Sequence, residues 1–283
     1  MKTTMISAAA LTILAAPVLA DGHASPASGY GLTDDGMALV MLPGLVEAGD
    51  KVMLDGQVDA IAYRPVTGDL MGITKDGGVV SIDPMSGALT DMAATVGDNV
   101  MVGMDAAVGF DFNNKIDAVR AVSSDGVNLV YFPTGFGDND DRANSVLRFT
   151  DLAYAAGDTN EGATPAIYAN AYTNAVNGAK QDATAQYALD AATDSLVTLA
   201  NNEGTLGTVA KITVDGAEVD LAPMGGFEIV SPEAGTNTAY AVLMMEGADM
   251  SGLYSIDLET GAATKTTDLD GAFTGFAANL PAM

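Results

Sequence analysis

Short apolar stretches, each closed within a few residues by a turn, are the feature that most restricts what this chain can form. Residues 58–63, 70–73, 79–82, 118–122, 128–132 and 239–243 read as strands, because apolar and β-branched side chains fill them and helix-period stripes of useful length are scarce. Between them stand Thr67-Gly68-Asp69, Lys75-Asp76-Gly77-Gly78, Ser124-Asp125-Gly126 and Asp215-Gly216. Such Gly-containing pairs supply the positive backbone angles of tight hairpins. The expected class is therefore all-β and mostly antiparallel.

Above the hairpins lies a looser self-similarity: an apolar strand, Asp or Pro, a Thr-Gly or Ser-Gly linker, then a second strand containing Thr. Aligned copies place Leu42, Ile82, Phe132, Leu189 and Ile256 in register, at intervals that drift from 40 to 67 residues. Hairpin units recurring at this spacing predict a β-propeller of five or six blades, since each blade buries its faces only against its neighbours. A β-sandwich built from the same hairpins is the alternative. Residues 137–170, the least repetitive stretch, read as a long insertion.

Lys2, an apolar run over residues 6–16 and small residues at Val18 and Ala20 predict a secretory signal over residues 1–20. A flexible tail over 21–28 and a single domain over 29–283 follow. The expected location is the periplasm or the medium, with no later segment of transmembrane length. With no cysteine, such a chain is held by its core rather than by disulfides.

Composition then removes most chemistries. Absence of cysteine excludes thiolate nucleophiles and thiolate metal sites. The single histidine, His23, falls in the tail. With 37 acidic against 11 basic residues, the net charge of -26 argues against nucleic acid and anionic membrane surfaces as partners. The 15 methionines, Met101, Met104, Met244 and Met245 among them, read as blade core. Gly77-Gly78 and Gly225-Gly226 read as turns.

Several segments go further. Residues 61–72, Ile-Ala-Tyr-Arg-Pro-Val-Thr-Gly-Asp-Leu-Met-Gly, and residues 109–129, which open Gly-Phe-Asp-Phe-Asn, resemble blocks of the bacterial domain of unknown function 4394. Residues 152–162, Ala171-Tyr172-Thr173-Asn174 and residues 202–206 continue the likeness in the same order. The resemblance spans roughly Gly29 to Leu269 and implies an exported, propeller-like protein without a transferable activity. The chain departs from the pattern where Tyr63 stands for Phe and where Asn114 and Asn201 stand for Pro, which implies relaxed turns.

Three groups of residues carry candidate chemistry. Asp158-Thr159-Asn160-Glu161-Gly162 resembles the opening of a calcium loop, with Asp158, Asn160 and Gly162 as the metal-site residues and Asp138-Asn139-Asp140-Asp141 upstream. An Asx-stabilised turn explains the same pattern. Arg64 and Arg120 read as partners of a nearby carboxylate such as Asp117 or Asp111, or as a clamp for a carboxylate or sugar ligand. Asp111, Asn113, Asp117, Asn128, Tyr172, Thr173, Asn174 and Asn202 offer the mixed donors and acceptors that bind a neutral carbohydrate or peptide, or that satisfy blade backbone. The leading expectation is a non-enzymatic module that binds a small molecule, carbohydrate or protein. A metal- or carboxylate-dependent hydrolase and a structural envelope component are the alternatives.

Overall fold

The computed structural model describes residues 27–33, 35–137 and 140–280. The expected signal over residues 1–20, His23, Asp138 and Asn139 lie outside them. Hairpin alternation dictates the rest: 24 strands among the described residues fall into five sheets arranged as a ring. Blade 1 contains β1 (Ser28–Thr33), β2 (Ala38–Leu42) and β3 (Lys51–Met53). Blade 2 contains β4 (Ala60–Tyr63), β5 (Leu70–Ile73), β6 (Val79–Ile82) and β7 (Leu89–Asp91).

Blade 3 is built from β8 (Thr95–Val96), β9 (Val108–Asn113), β10 (Ala118–Ser123), β11 (Asn128–Phe132) and β12 (Ser145–Arg148). Blade 4 is built from β13 (Ala153–Tyr154), β14 (Ile167–Tyr172), β15 (Gln186–Asp190), β16 (Ser195–Ala200) and β17 (Thr205–Lys211). Blade 5 holds β18 (Thr213–Val214), β19 (Ala217–Glu218), β20 (Leu221–Glu233), β21 (Thr236–Met245), β22 (Ser251–Ile256) and β23 (Ala262–Leu269). The last strand, β24 (Phe273–Asn279), returns to blade 1 and pairs antiparallel with β1, so the two ends of the domain close the ring.

The innermost strands are β24, β4, β9, β14 and β20, each packed on the next around the axis. The core is correspondingly divided into seams. Leu32, Leu39, Ile61 and Leu70 fill the first between blades 1 and 2, and Met71, Phe110, Phe112 and Tyr131 the second. Val122, Ile167, Val197 and Leu206 fill the third, Tyr168, Leu189, Phe227 and Tyr254 the fourth, and Leu42, Val242, Leu253 and Phe276 the fifth. Each blade thus buries both faces, as stacked modules must.

Connections between blades reuse one device. β8, β13 and β18 run parallel to the outer strands β12, β17 and β23 of the next blade before the chain dives to the axis. A residue one or two positions before the outer strand, in blade 2 as well, accepts the connector's amide: Gly87 from Asp55, Asn144 from Thr95, Gly204 from Ala153 and Gly261 from Thr213. The outer edges are thereby partly paired, which limits edge-to-edge association.

Four sequence expectations need correction. Residues 137–170 are no insertion, because they contain β12, β13 and the start of β14. Leu42, Ile82, Phe132 and Ile256 lie on third strands counted from the axis, whereas Leu189 lies on the second. Gly225 and Gly226 lie inside β20 at a register shift, not in a turn. Met101 and Met104 are 63% and 77% exposed, on a surface loop rather than in the core. At the amino-terminal end, Ala27 is buried and Ser28 already pairs with Asn279.

Candidate functional site

Glycines and phenylalanines close the ring at its centre. A methyl group on Gly226 would fall 2.3 Å from the Phe276 amide nitrogen, and one on Gly109 would fall 2.7 Å from the Ala169 Cα. Only about 10 Å³ remains there, between Phe110, Phe227 and Phe276, with the amide of Asn170 in its wall. That volume suits a single water. Ligand-sized space lies at the two faces instead.

Where the innermost strands begin, an opening of about 200 Å³ carries Asp35, Asp59 and Asp105. Lys75 is tied down among them: its Nζ donates to the Met104 carbonyl at 2.6 Å and lies 3.8 Å from Asp59.

Where the innermost strands end, residues 173–185 form a strap across the face. The Gly178 amide donates to the Pro65 carbonyl at 2.9 Å and Asn177 Nδ2 donates to the Leu280 carbonyl at 2.7 Å, so the strap reaches blades 2 and 1. Asn114, fully buried just after β9, holds it from beneath: its Nδ2 lies 3.0, 3.0 and 3.1 Å from the carbonyl oxygens of Asn174, Val176 and Ala179, which share its two hydrogens. Asn174 joins it to blade 5, donating its amide to Asn237 Oδ1 and accepting from the Gly235 amide. Thr173 Oγ1 accepts the Ala185 amide across the strap's base.

Between the strap, the β4–β5 turn and the end of β24 lies a hollow of about 450 Å³. Ser28, Tyr63, Thr67, Asn177 and Asn279 bring hydroxyls and amides to it, and Pro65, Val66 and Leu280 bring apolar surface. No charged side chain lines it. Asn177 Oδ1 has no hydrogen-bond partner among the described residues.

Two carboxyls are buried on the inner strands, Asp111 on β9 and Glu228 on β20. Asp111 Oδ2 accepts the Tyr172 amide at 2.6 Å, and Glu228 accepts the amides of Ile229 and Ala278 at 3.0 and 3.4 Å. Burial pushes the Asp111 carboxyl up to about 8. Burial, then the charge of Asp111, raises Glu228 well above the carboxylate range. Burial, then the charges of Tyr30 and Glu228, raise the Tyr63 phenol.

The remaining sequence candidates gather at two seams. Arg64 meets Asp117 with two bonds, Nε to Oδ1 at 2.8 Å and Nη2 to Oδ2 at 2.5 Å, joining blades 2 and 3. Arg120 meets neither Asp111 nor Asp117. It donates to the Tyr172 hydroxyl, to Asn128 Oδ1 and to Asn202 Oδ1, while Tyr172 donates on to Asn201, so one network stitches blades 3 and 4. Asn113 Oδ1 accepts from Thr184 nearby. Asn201 and Asn114, where the resemblance implied relaxed turns, are therefore anchoring residues.

Asp158 is likewise engaged. Its Oδ1 accepts from the Asn160 amide and Thr208 Oγ1, and its Oδ2 from the Thr208 amide, which pins an Asx turn to β17. Gly162 has a φ of 82° in the same loop. Among the described residues no group of three or more His, Cys, Asp or Glu side chains is arranged to hold a metal ion.

The family-like blocks run along β4, β5, β9, β10, β11, β13, β14 and β17, and a family model covers them all. Residues 50–277 match the model described as Domain of unknown function (DUF4394). The chain belongs to this family. No curated protein matches it. Among solved structures, the chain is similar to a protein of unknown function from Bacteroides caccae, 9% identical with a TM-score of 0.41 over 90% of this chain and 99% of that one. A candidate 6-phosphogluconolactonase from Bacteroides uniformis is 14% identical, with a TM-score of 0.39 over 86% of this chain and 67% of that one. An auxiliary nutrient binding protein from Bacteroides thetaiotaomicron is 12% identical, with a TM-score of 0.39 over 86% of this chain and 49% of that one. For this DUF4394 member the five-bladed ring stands on its own strand pairing.

Proposed function

We propose that this DUF4394 member is an exported binding module that takes a neutral, hydroxyl-rich small molecule, a carbohydrate, in the hollow under the strap. One observation carries the reading. A chain with 37 acidic side chains offers ten lining residues at this place and none is charged. Pockets that orient neutral ligands combine apolar surface with a few placed polar groups, and this one pairs Pro65, Val66 and Leu280 with the Tyr63 ring and the Asn177 amide. The volume is in the range of small-molecule sites.

The hydrolase reading draws support from the two buried carboxyls of the inner strands, whose raised affinity for protons is what a general acid needs. Against it, both are nearly inaccessible and receive backbone amides instead of opening to the hollow. Calorimetric titration of neutral mono- and disaccharides against the mature chain is the test. Binding that drops at least tenfold in Tyr63→Ala and in Asn177→Ala, with sugar acids bound more weakly, is expected. Heat that is unchanged by both substitutions would remove the hollow as the site.

A further inference from the structure

Asn177-Gly178 is the one Asn-Gly pair in the 283 residues, and it forms a turn within the strap. Such a pair carries its own chemistry, because glycine has no Cβ to shield its nitrogen from the side-chain amide before it. The Gly178 nitrogen, once its proton is lost to solvent, attacks the Asn177 Cγ. A new N–Cγ bond closes a succinimide ring, the Cγ–Nδ2 bond breaks, and the side-chain nitrogen takes a proton from water and leaves as ammonia. Water then opens the ring at either carbonyl. Residue 177 becomes aspartate or isoaspartate.

The docked strap opposes the first step at both reacting groups. The Gly178 N–H is held by the Pro65 carbonyl at 2.9 Å, and Asn177 Nδ2 is held by the Leu280 carbonyl at 2.7 Å. No donor among the described residues meets Asn177 Oδ1, so nothing there polarises Cγ for attack. Undocking removes both holds. Gly178 is exposed with a φ of 82°, and no atom lies within 4 Å of where its Cβ would stand, so nothing crowds the closing ring. The product then resists redocking. A carboxylate has no hydrogen for the Leu280 carbonyl, and it brings a negative charge to a hollow whose lining has none.

We propose that Asn177 is a self-modification site: opening of the strap releases it to deamidate, and the product holds the strap off the hollow. Peptide mapping by mass spectrometry, on chain aged in mildly alkaline buffer, is the test. In the native chain deamidation is expected at Asn177 before any other asparagine, yet several-fold slower than in chain unfolded by urea. In Asn114→Ala, which frees the strap, it is expected to run at least about threefold faster than in the native chain. Asn177→Asp carries the product from the start, so a nonspecific protease is expected to cut its strap faster than the native one. Neither the urea comparison nor Asn177→Asp depends on Asn114→Ala folding. Another asparagine reacting first, a native rate equal to the unfolded one, an Asn114→Ala rate equal to the native one, or native cleavage of Asn177→Asp overturns the proposal. Sugar binding enters none of these readouts, so the outcome is separable from that of the carbohydrate reading.

Discussion

Asn114 shows how much one side chain carries in this ring. A proline at this turn would have no side-chain donor, whereas the two hydrogens of the Asn114 side-chain amide are shared among three strap carbonyls. Replacing it with alanine removes both donors from a fully buried position and leaves three strap carbonyls without them. Asn114→Ala should lose about 2–3 kcal/mol in urea unfolding, and its strap should be cut faster by a nonspecific protease under native conditions. An unchanged urea midpoint would show the strap held by its other contacts alone. None of this was legible in the sequence, because the partners lie 60 to 65 residues away. Distance along the chain also hid the Arg120 network. A neighbouring Asp was the natural partner to read, and Asn202, 82 residues on, is an actual one.

Strands and turns were more readable, because their rules are local. The bounds of 70–73, 79–82 and 128–132 agree with the strands found, and Asp83 and Asp257 build the same turn before the outer strands of blades 2 and 5. Blade 4 was shifted inward because Asp190-Ala191-Ala192-Thr193 imitates that turn one hairpin early. Turn chemistry alone does not say which edge of a blade it serves. What separates them is contact with the previous blade. Gly87 has a φ of 78°, and a methyl there would fall 1.9 Å from the Met53 carbonyl oxygen of blade 1. Gly126 has a φ of 88° with open space around it. Gly126→Ala should therefore cost about 1–2 kcal/mol, the left-handed backbone penalty. Gly87→Ala adds a collision at a blade seam and should cost clearly more, with the melting temperatures falling in that order. Equal losses would mean that this latch does not bear on the seam.

At the scale of the ring, the axis joins five separately packed seams, and the two carboxyls there tie its stability to pH. In the unfolded chain Asp111 and Glu228 have the ordinary values of 3.8 and 4.5, while in the ring burial holds the first up to about 8 and the second well above its ordinary value. Between those limits the native state keeps protons that the unfolded state has released. Their contribution is therefore whole below about pH 4 and is lost as pH rises toward about 8, at about 1.4 kcal/mol per unit for each retained proton. Surface repulsion in a chain of net charge -26 acts in the same direction as its carboxylates ionise. Salt distinguishes the two, because it screens exposed charges and hardly reaches buried ones. Urea unfolding from pH 5 to pH 8 in high salt should keep most of the slope in the native chain. Glu228→Gln retains the shape and an acceptor for the Ile229 amide and removes one titrating group, so its slope should be visibly shallower. A native chain with no slope in high salt, or a Glu228→Gln chain with the native slope, would place the lost protons elsewhere than the axis.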